Sequence, residues 1–166
     1  MLASFEAAID GTPGEVGRAT LVTGLRGVGK TVMLNALEDI AVSRGWLVIS
    51  ETATKGLAER ITTEALPKLL AEHDPRASKR RITGVTLPMS SGGFVSTVEE
   101  RHRPVANMRS QLTALTGLLA PNGTGVLITV DEIHRGAIDD LREITTVVQH
   151  AFREGLDVAF VGAGLK

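Results

Sequence analysis

The stretch Gly24–Thr31, GLRGVGKT, decides the fold class of this chain. It completes the pattern G-x-x-x-x-G-K-[ST], in which backbone N–H groups wrap an anion because glycine has no Cβ to obstruct them. An apolar run, Arg18–Thr23, precedes the stretch, and Gly29–Arg44 follows it with apolar residues at helical spacing. A strand, a glycine-rich turn and a helix in this order predict a phosphate-binding loop rather than a coincidental turn.

The side chains of this loop have separate predicted roles. The Lys30 ammonium is expected to reach the β- and γ-phosphates of a nucleotide, and the Thr31 hydroxyl to ligate Mg²⁺. The dipole of the following helix favours an anion at the same point. The residues predicted to bind the cofactor are Gly24, Arg26, Gly27, Val28, Gly29, Lys30, Thr31 and Val32.

Short apolar runs alternate with longer helical patterns along the chain. The predicted strands are Arg18–Thr23, Trp46–Thr52, Gly125–Val130 and Asp157–Val161, and the predicted helices are Gly29–Arg44, Leu57–Leu70, Pro104–Leu119 and Ala137–Arg153. Pro67 is expected to kink or divide the second helix, because proline removes a helical hydrogen bond and clashes with the preceding turn. The alternation predicts a three-layer α/β/α sandwich with a mainly parallel sheet.

The length of 166 residues fits a single domain with a core of its own. Residues 1–17 are assigned to an N-terminal segment and residues 18–166 to the phosphate-binding core. Residues 76–103 differ in character, since an alternating run, RITGVTL, is followed by a turn-like PMSSGGF. This stretch is predicted to be an insertion in the core.

Composition narrows the function classes. The formal net charge is −1 and aromatic residues make up 3% of the chain, which disfavours a dedicated nucleic-acid binder. Basic residues near the insertion, such as Arg80 and Arg101, fit a solvated face better than a DNA-binding patch. The chain has no cysteine, no signal-peptide pattern and no apolar run of the roughly 18 residues that a membrane span needs. A cytoplasmic protein is expected.

A pair of carboxylates follows the most strand-like segment. In GVLITVDEIH, Asp131 comes at the end of a buried run, where ligands bind in open parallel sheets. Asp131 is predicted to hold Mg²⁺ through its water shell, and Glu132 to polarise the water that attacks the γ-phosphate. The alternative is a plain helix N-terminus, where acids are also favoured. His134 is interpreted as a surface residue.

These motifs resemble a known family. GLRGVGKT, VLITVDEIH and DVAFVGAGL, in this order, are similar to the P-loop ATPases of the AAA+ and STAND groups, and most of all to prokaryotic AAA ATPases related to origin-recognition and archaeal ATPases. The resemblance implies ATP and Mg²⁺ as cofactors, with Lys30, Thr31, Asp131 and Glu132 in the roles above. It also implies a sheet in which the phosphate-loop strand lies beside the last strand, and the last strand beside the Asp131 strand.

The chain departs from the resemblance at two points. The strand Phe160–Ala163 ends without the polar sensor that many AAA+ proteins carry, and the sequence stops at Lys166, before the fifth strand and the helical lid of a typical member. The lid is therefore expected to be missing, with C-terminal lid and effector domains or further copies of the chain as candidate partners. An arginine finger is not assigned, although Arg135, Arg142 and Arg153 follow Glu132.

Two functions are consistent with these observations. The first is an ATP-binding domain that hydrolyses ATP to ADP and phosphate with Mg²⁺. The second is a nucleotide-dependent switch or binding module with little or no hydrolysis. Other P-loop classes fit less well: no N/T-K-x-D motif for guanine occurs in the chain. Small-molecule P-loop kinases remain open by size, although they rarely pair Asp with a following Glu.

Overall fold

Four parallel strands form the centre of the molecule. The computed structural model describes residues 1–25, 27, 29–75, 106–133 and 137–165. The strands are β1 (Ala19–Thr23), β2 (Leu47–Thr52), β3 (Val126–Ile133) and β4 (Val158–Gly164). They pair in the order β1-β4-β3-β2, as the resemblance implied. The predicted α/β class with a mainly parallel sheet is confirmed.

Helices cover both faces of this sheet. They are α1 (Leu2–Asp10), α2 (Lys30–Ser43), α3 (Leu57–Arg60), α4 (Leu66–His73), α5 (Met108–Leu119) and α6 (Ile138–Arg153), with a π-helical stretch at Ile61–Ala65 and a 3₁₀ turn at Ala120–Asn122. α1 and α2 pack on one face, and α3 to α6 pack on the other. No helix in the described part of the chain is long and apolar enough to cross a membrane.

Several predicted elements fall outside the described residues. These are the insertion at 76–103, with the basic residues beside it, Pro104, His134, Arg135 and two members of the phosphate loop, Arg26 and Val28. Two strands run further than the sequence predicted: β3 continues past Val130 to Ile133, and β4 continues past Val161 to Gly164. Both extensions belong to one ladder, because Ile133 pairs with Gly164 beyond an irregularity in the β3–β4 register.

The N-terminal segment contains a helix that the sequence pattern did not indicate. α1 buries Phe5, Ala8 and Ile9 against α2 and the Trp46 side chain. The fully buried Arg18 holds the end of this helix. Its guanidinium donates hydrogen bonds to the carbonyl oxygens of Ala8 and Gly11, both at 2.8 Å. α1 therefore contributes side chains to the hydrophobic core of the domain.

Two further contacts satisfy the buried charge of Arg18. Its Nη1 lies 2.8 Å from the Asp157 carboxylate, and its guanidinium stands over the Trp46 ring at 5.1 Å from the ring centre. A buried cation is stable only when it is both paired and hydrogen-bonded. Because Asp157 directly precedes β4, this cluster joins α1, the start of β1 and the start of β4.

A second ion pair, on the surface, fastens α1 to the C-terminal end of α2. Arg44 donates hydrogen bonds to the carboxylates of Asp10 and Glu6, each at 2.5 Å. The hydrogen bonds from Arg44 hold the pKa of the Asp10 carboxyl below its ordinary value of 3.8, and they raise the pKa of the Arg44 guanidinium.

The Leu57–His73 segment is divided as Pro67 predicted, although the irregular stretch comes before the proline. Proline has no N–H, so it leaves a carbonyl of the preceding turns without its helical partner. Gln111 of α5, a buried side chain, donates from Nε2 to the Thr62 carbonyl at 2.8 Å and to the Ala106 carbonyl at 2.9 Å. A side chain from a neighbouring helix thus compensates for the irregular backbone.

We expect Gln111→Leu to lower the free energy of unfolding by about 1–3 kcal/mol, because it removes two hydrogen bonds to part-buried carbonyl oxygens. Urea denaturation measures the change. Gln149→Ala, at an exposed site on α6, is the matched control and should change the stability by less than about 0.5 kcal/mol. Equal effects of the two substitutions would contradict the role given to Gln111.

The Arg44 pair predicts a pH-dependent effect of Asp10→Asn. A carboxyl whose pKa is lowered by folding stabilises the protein above its unfolded pKa, and this stabilisation is lost as the pH falls through the folded value. Thermal melts from about pH 7 to about pH 3 should therefore show the variant less stable at the upper end, with the difference shrinking as the pH falls below the ordinary carboxyl value of 3.8. Asp39→Asn, an exposed site on α2, should show no such trend.

Candidate functional site

The phosphate loop connects β1 to α2 at the carboxyl edge of the sheet. Gly27 and Gly29 adopt left-handed backbone angles, with φ of 83° and 84°, which glycine tolerates best. Both glycines are exposed, and a Cβ placed on either would meet no described atom within 4 Å, so a ligand can approach their backbone closely. The first N–H groups of α2 have no partners within the helix and are available to an anion. The loop therefore fits a phosphate group.

Lys30 is held inside this loop. Its ammonium donates to the carbonyl oxygens of Gly24 at 3.1 Å and Leu25 at 2.8 Å. The Gly24 N–H in turn donates to the Gly164 carbonyl at the end of β4, at 3.4 Å. A compact ammonium has three donors on a flexible stem, so it can exchange these carbonyls for phosphate oxygens without moving the backbone.

The two sequence motifs meet at Thr31 and Asp131, which are separated by 100 residues in the chain. The Thr31 hydroxyl donates to Oδ2 of Asp131 at 2.7 Å. Because the hydroxyl hydrogen is directed at the carboxylate, the lone pairs of the hydroxyl oxygen are left for a cation. Hydroxyl and carboxylate oxygens are hard ligands of the kind Mg²⁺ prefers, and a phosphate-bound Mg²⁺ needs only one or two such groups from the protein. The pair fits this metal.

Asp131 and Glu132 lie within β3 and not at the start of a helix, since α6 begins at Ile138. Asp131 stands opposite Thr52, the last residue of β2, and its Oδ1 accepts a hydrogen bond from the Glu132 N–H at 2.7 Å. The structure thus excludes the helix N-terminus and places Asp131 at the carboxyl edge.

Glu132 has an unusual backbone. Its φ of 55° makes it the one non-glycine among the described residues in the left-handed region, a conformation that costs about 1–2 kcal/mol. The irregular register between Val130 and Ile133 accompanies it. Within the described part of the chain, the exposed carboxylate makes no hydrogen bond or ion pair. Strain of this kind often accompanies functional sites, and a free carboxylate can accept a proton from water.

The end of β4 is closed to a polar side chain. Gly162, Ala163 and Gly164 are all buried. A Cβ on Gly162 would lie 2.4 Å from Cδ1 of Ile133, and one on Gly164 would lie 2.7 Å from the Ile133 carbonyl oxygen. The main chain of β3 at Ile133 thus leaves no room for a Cβ at Gly164.

Sequence reasoning missed the residues on the other side of the Thr31–Asp131 pair. The side chains of Glu51, Thr52, Thr54 and Arg60 line a cleft of about 430 Å³ together with Thr31 and Asp131. None of these residues is part of the phosphate-loop motif. The available signal was that β2 also ends in polar residues, and that the carboxyl ends of parallel strands lie at one edge.

The predicted loop residue Val32 stands apart from this arrangement. It is in the first turn of α2, and its side chain is largely exposed. The structure therefore brings together Gly24, Lys30, Thr31, Asp131 and the backbone of the loop glycines. The roles assigned to individual side chains remain predictions.

A comparison with protein families matches the AAA ATPase domain over residues 1–160. A comparison with curated proteins gives no match. Among solved structures, the chain is similar to one chain of the E. coli MS115-1 HORMA:CdnC:Trip13 complex, with 10% identity and a TM-score of 0.39. The alignment covers 99% of the present chain and 45% of the other. This structural similarity is weak, and the family model is the informative match.

Gly164→Ala should lower the free energy of unfolding by about 1–3 kcal/mol, because its Cβ would collide with the main chain of β3 beside Glu132. Denaturant titration measures the effect. Gly117→Ala is the matched control: Gly117 lies in α5 with open space around it, so alanine should raise stability by up to about 1 kcal/mol. A neutral Gly164→Ala would show that β3 and β4 can separate without cost.

Proposed function

The chain belongs to the AAA ATPase domain family, and from that premise we propose that it binds ATP with Mg²⁺ and hydrolyses the nucleotide to ADP and phosphate. The observation that carries the proposal is the 2.7 Å hydrogen bond between Thr31 and Asp131. It joins the phosphate loop to the carboxylate strand, so that one ligand can contact both.

The residues of the loop bind and orient the triphosphate. The N–H groups at the start of α2 donate to phosphate oxygens, and Lys30 transfers its hydrogen bonds from the loop carbonyls to the β- and γ-phosphates. Thr31 and Asp131 would hold Mg²⁺, which would neutralise part of the phosphate charge. These contacts fix the γ-phosphate in front of Glu132.

Glu132 activates the attacking water. Its carboxylate accepts a hydrogen bond from the water and takes one proton as the water oxygen bonds to the γ-phosphorus. The bond to the bridging oxygen breaks, and ADP leaves with that oxygen. The hydrogen bond from the Glu132 N–H to Asp131 keeps the two neighbouring carboxylates in separate positions.

A nucleotide-dependent switch with little hydrolysis is the second candidate. The specific observation in its favour is the apolar end of β4, where Gly162 and Gly164 pack against Ile133. A site without a polar group there has one fewer contact to the γ-phosphate. The finer likeness to STAND and origin-recognition ATPases, the cytoplasmic setting and assembly into homo-oligomers stay predictions of the sequence resemblance.

Phosphate release and ATP binding, measured on Lys30→Ala and Glu132→Gln, test the proposal. Lys30→Ala should weaken ATP binding by about 10- to 100-fold, because it removes a charged hydrogen-bond donor. Glu132→Gln should keep ATP binding and lower turnover by about 10²- to 10⁴-fold, because the amide cannot accept the proton. Lys68→Ala and Glu72→Gln, at exposed sites on α4, are matched controls that should leave both quantities unchanged.

The outcomes separate the two candidate functions. ATP binding by the wild type without phosphate release would support the switch. ATP affinity that Lys30→Ala leaves unchanged would contradict both functions, since both depend on the phosphate loop.

A further inference from the structure

The cleft beside Thr31 and Asp131 is formed largely by the end of β2 and the start of α3. Thr52 at the end of β2 and Thr54 in the β2–α3 loop line it together with Glu51 and Arg60. The β2–α3 loop, residues 53–56, therefore borders the side of the site where Mg²⁺ is proposed to bind. None of these residues belongs to the two motifs that identify the family.

Arg60 connects three parts of this wall. Its Nε donates to Oε2 of Glu51 at 3.1 Å, its Nη2 to the Thr52 carbonyl at 3.1 Å, and its Nη1 to the Lys55 carbonyl at 3.2 Å. The side chains of Arg60 and Glu51 are 30% and 22% exposed, so water screens the pair less than a surface pair. The planar guanidinium can make these three contacts at once, which an ammonium cannot.

The loop that Arg60 fixes is bonded directly to the backbone of Asp131. Thr52 is the strand partner of Asp131, and the N–H of the fully buried Ala53 donates to the Asp131 carbonyl at 2.9 Å. At the far end of the loop, the Gly56 N–H donates to the Asp140 carboxylate at 3.0 Å. Arg60 bonds to a carbonyl near each end, so the loop has little freedom to move away from β3.

We infer that Arg60, oriented by Glu51, is a positioning residue for the metal side of the site: it holds the β2–α3 loop against Asp131, and so maintains the spacing of the Asp131 carboxylate and the Thr31 hydroxyl. This inference rests on the proposed function. Arg60 acts through the Thr52 and Lys55 carbonyls and, by way of the loop, on the Ala53 amide that bonds to Asp131.

Arg60→Met removes the three hydrogen bonds while keeping the aliphatic length of the side chain. The Mg²⁺ concentration that gives half-maximal phosphate release should rise about 10-fold, as for the loss of groups that orient metal ligands. The KM for ATP should change less than the Mg²⁺ requirement, because the phosphate loop is untouched. Arg60→Lys and Glu51→Gln should give intermediate values, since each retains part of the contact set.

Two readouts do not depend on turnover. Hydrogen exchange of the Ala53 amide should be faster in Arg60→Met than in the wild type, because the loop no longer holds that amide against Asp131. Calorimetric titration of the ADP-bound protein with Mn²⁺ should show a similar loss of metal affinity. Arg142→Met is the matched control, since Arg142 is 77% exposed and pairs only with Asp139 among the described residues.

Each result supports or overturns the inference. Unchanged Mg²⁺ requirement and unchanged Ala53 exchange would overturn it, while the effect of Lys30→Ala on ATP binding still stood. A large fall in kcat at an unchanged Mg²⁺ requirement would assign Arg60 to the reacting phosphate instead. A fall in Tm that accounts for every other change in all three variants would reduce Arg60 to a structural role. A wild type that binds no ATP would overturn the proposed function and the inference together.

Discussion

β3 pairs in parallel with β2 on one side and with β4 on the other, and the position of every functional side chain depends on those two ladders. Side chains of Val126–Val130 alternate between the two apolar clusters, with Leu127 on the α2 face and Ile128 on the other. Asp131 stands opposite Thr52 in the β2–β3 ladder, and this register places it level with the end of β2.

The β3–β4 ladder holds the chain around Glu132, although the backbone of Glu132 itself is strained. Ile133 returns to pairing with Gly164 after the irregular step, so the chain is held on both sides of the left-handed residue. Glycine at 162 and 164 leaves room for Ile133 in the sheet. A non-glycine residue keeps left-handed backbone angles only where the surrounding structure holds its backbone in place. The result is an exposed carboxylate that extends from a firmly held backbone beside Asp131.

The sequence predicted those features that local patterns encode. The phosphate loop, the four strands and the carboxylate at the sheet edge each follow from residues within one short segment, and the family resemblance supplied the strand order. The Arg18–Asp157 pair joins residues 139 positions apart. Gln111 donates a hydrogen bond to the Thr62 carbonyl in a different helical segment. Neither contact has a periodic or compositional signature. Arg60 was missed for the same reason, since two of its partners are backbone carbonyls and the third, Glu51, lies on a different element.

The contacts at the two edges of the sheet are connected through β1. This strand carries the phosphate loop and pairs with β4 alone among the described strands. Arg18 fixes its start to Asp157 at the amino edge, and the Gly24 N–H reaches Gly164 at the carboxyl edge. β4 in turn pairs with β3, so the distance between Thr31 and Asp131 depends on both the β1–β4 ladder and the β3–β4 ladder. The buried arginine at the amino edge thus anchors β1, the strand that leads into the loop of Lys30 and Thr31.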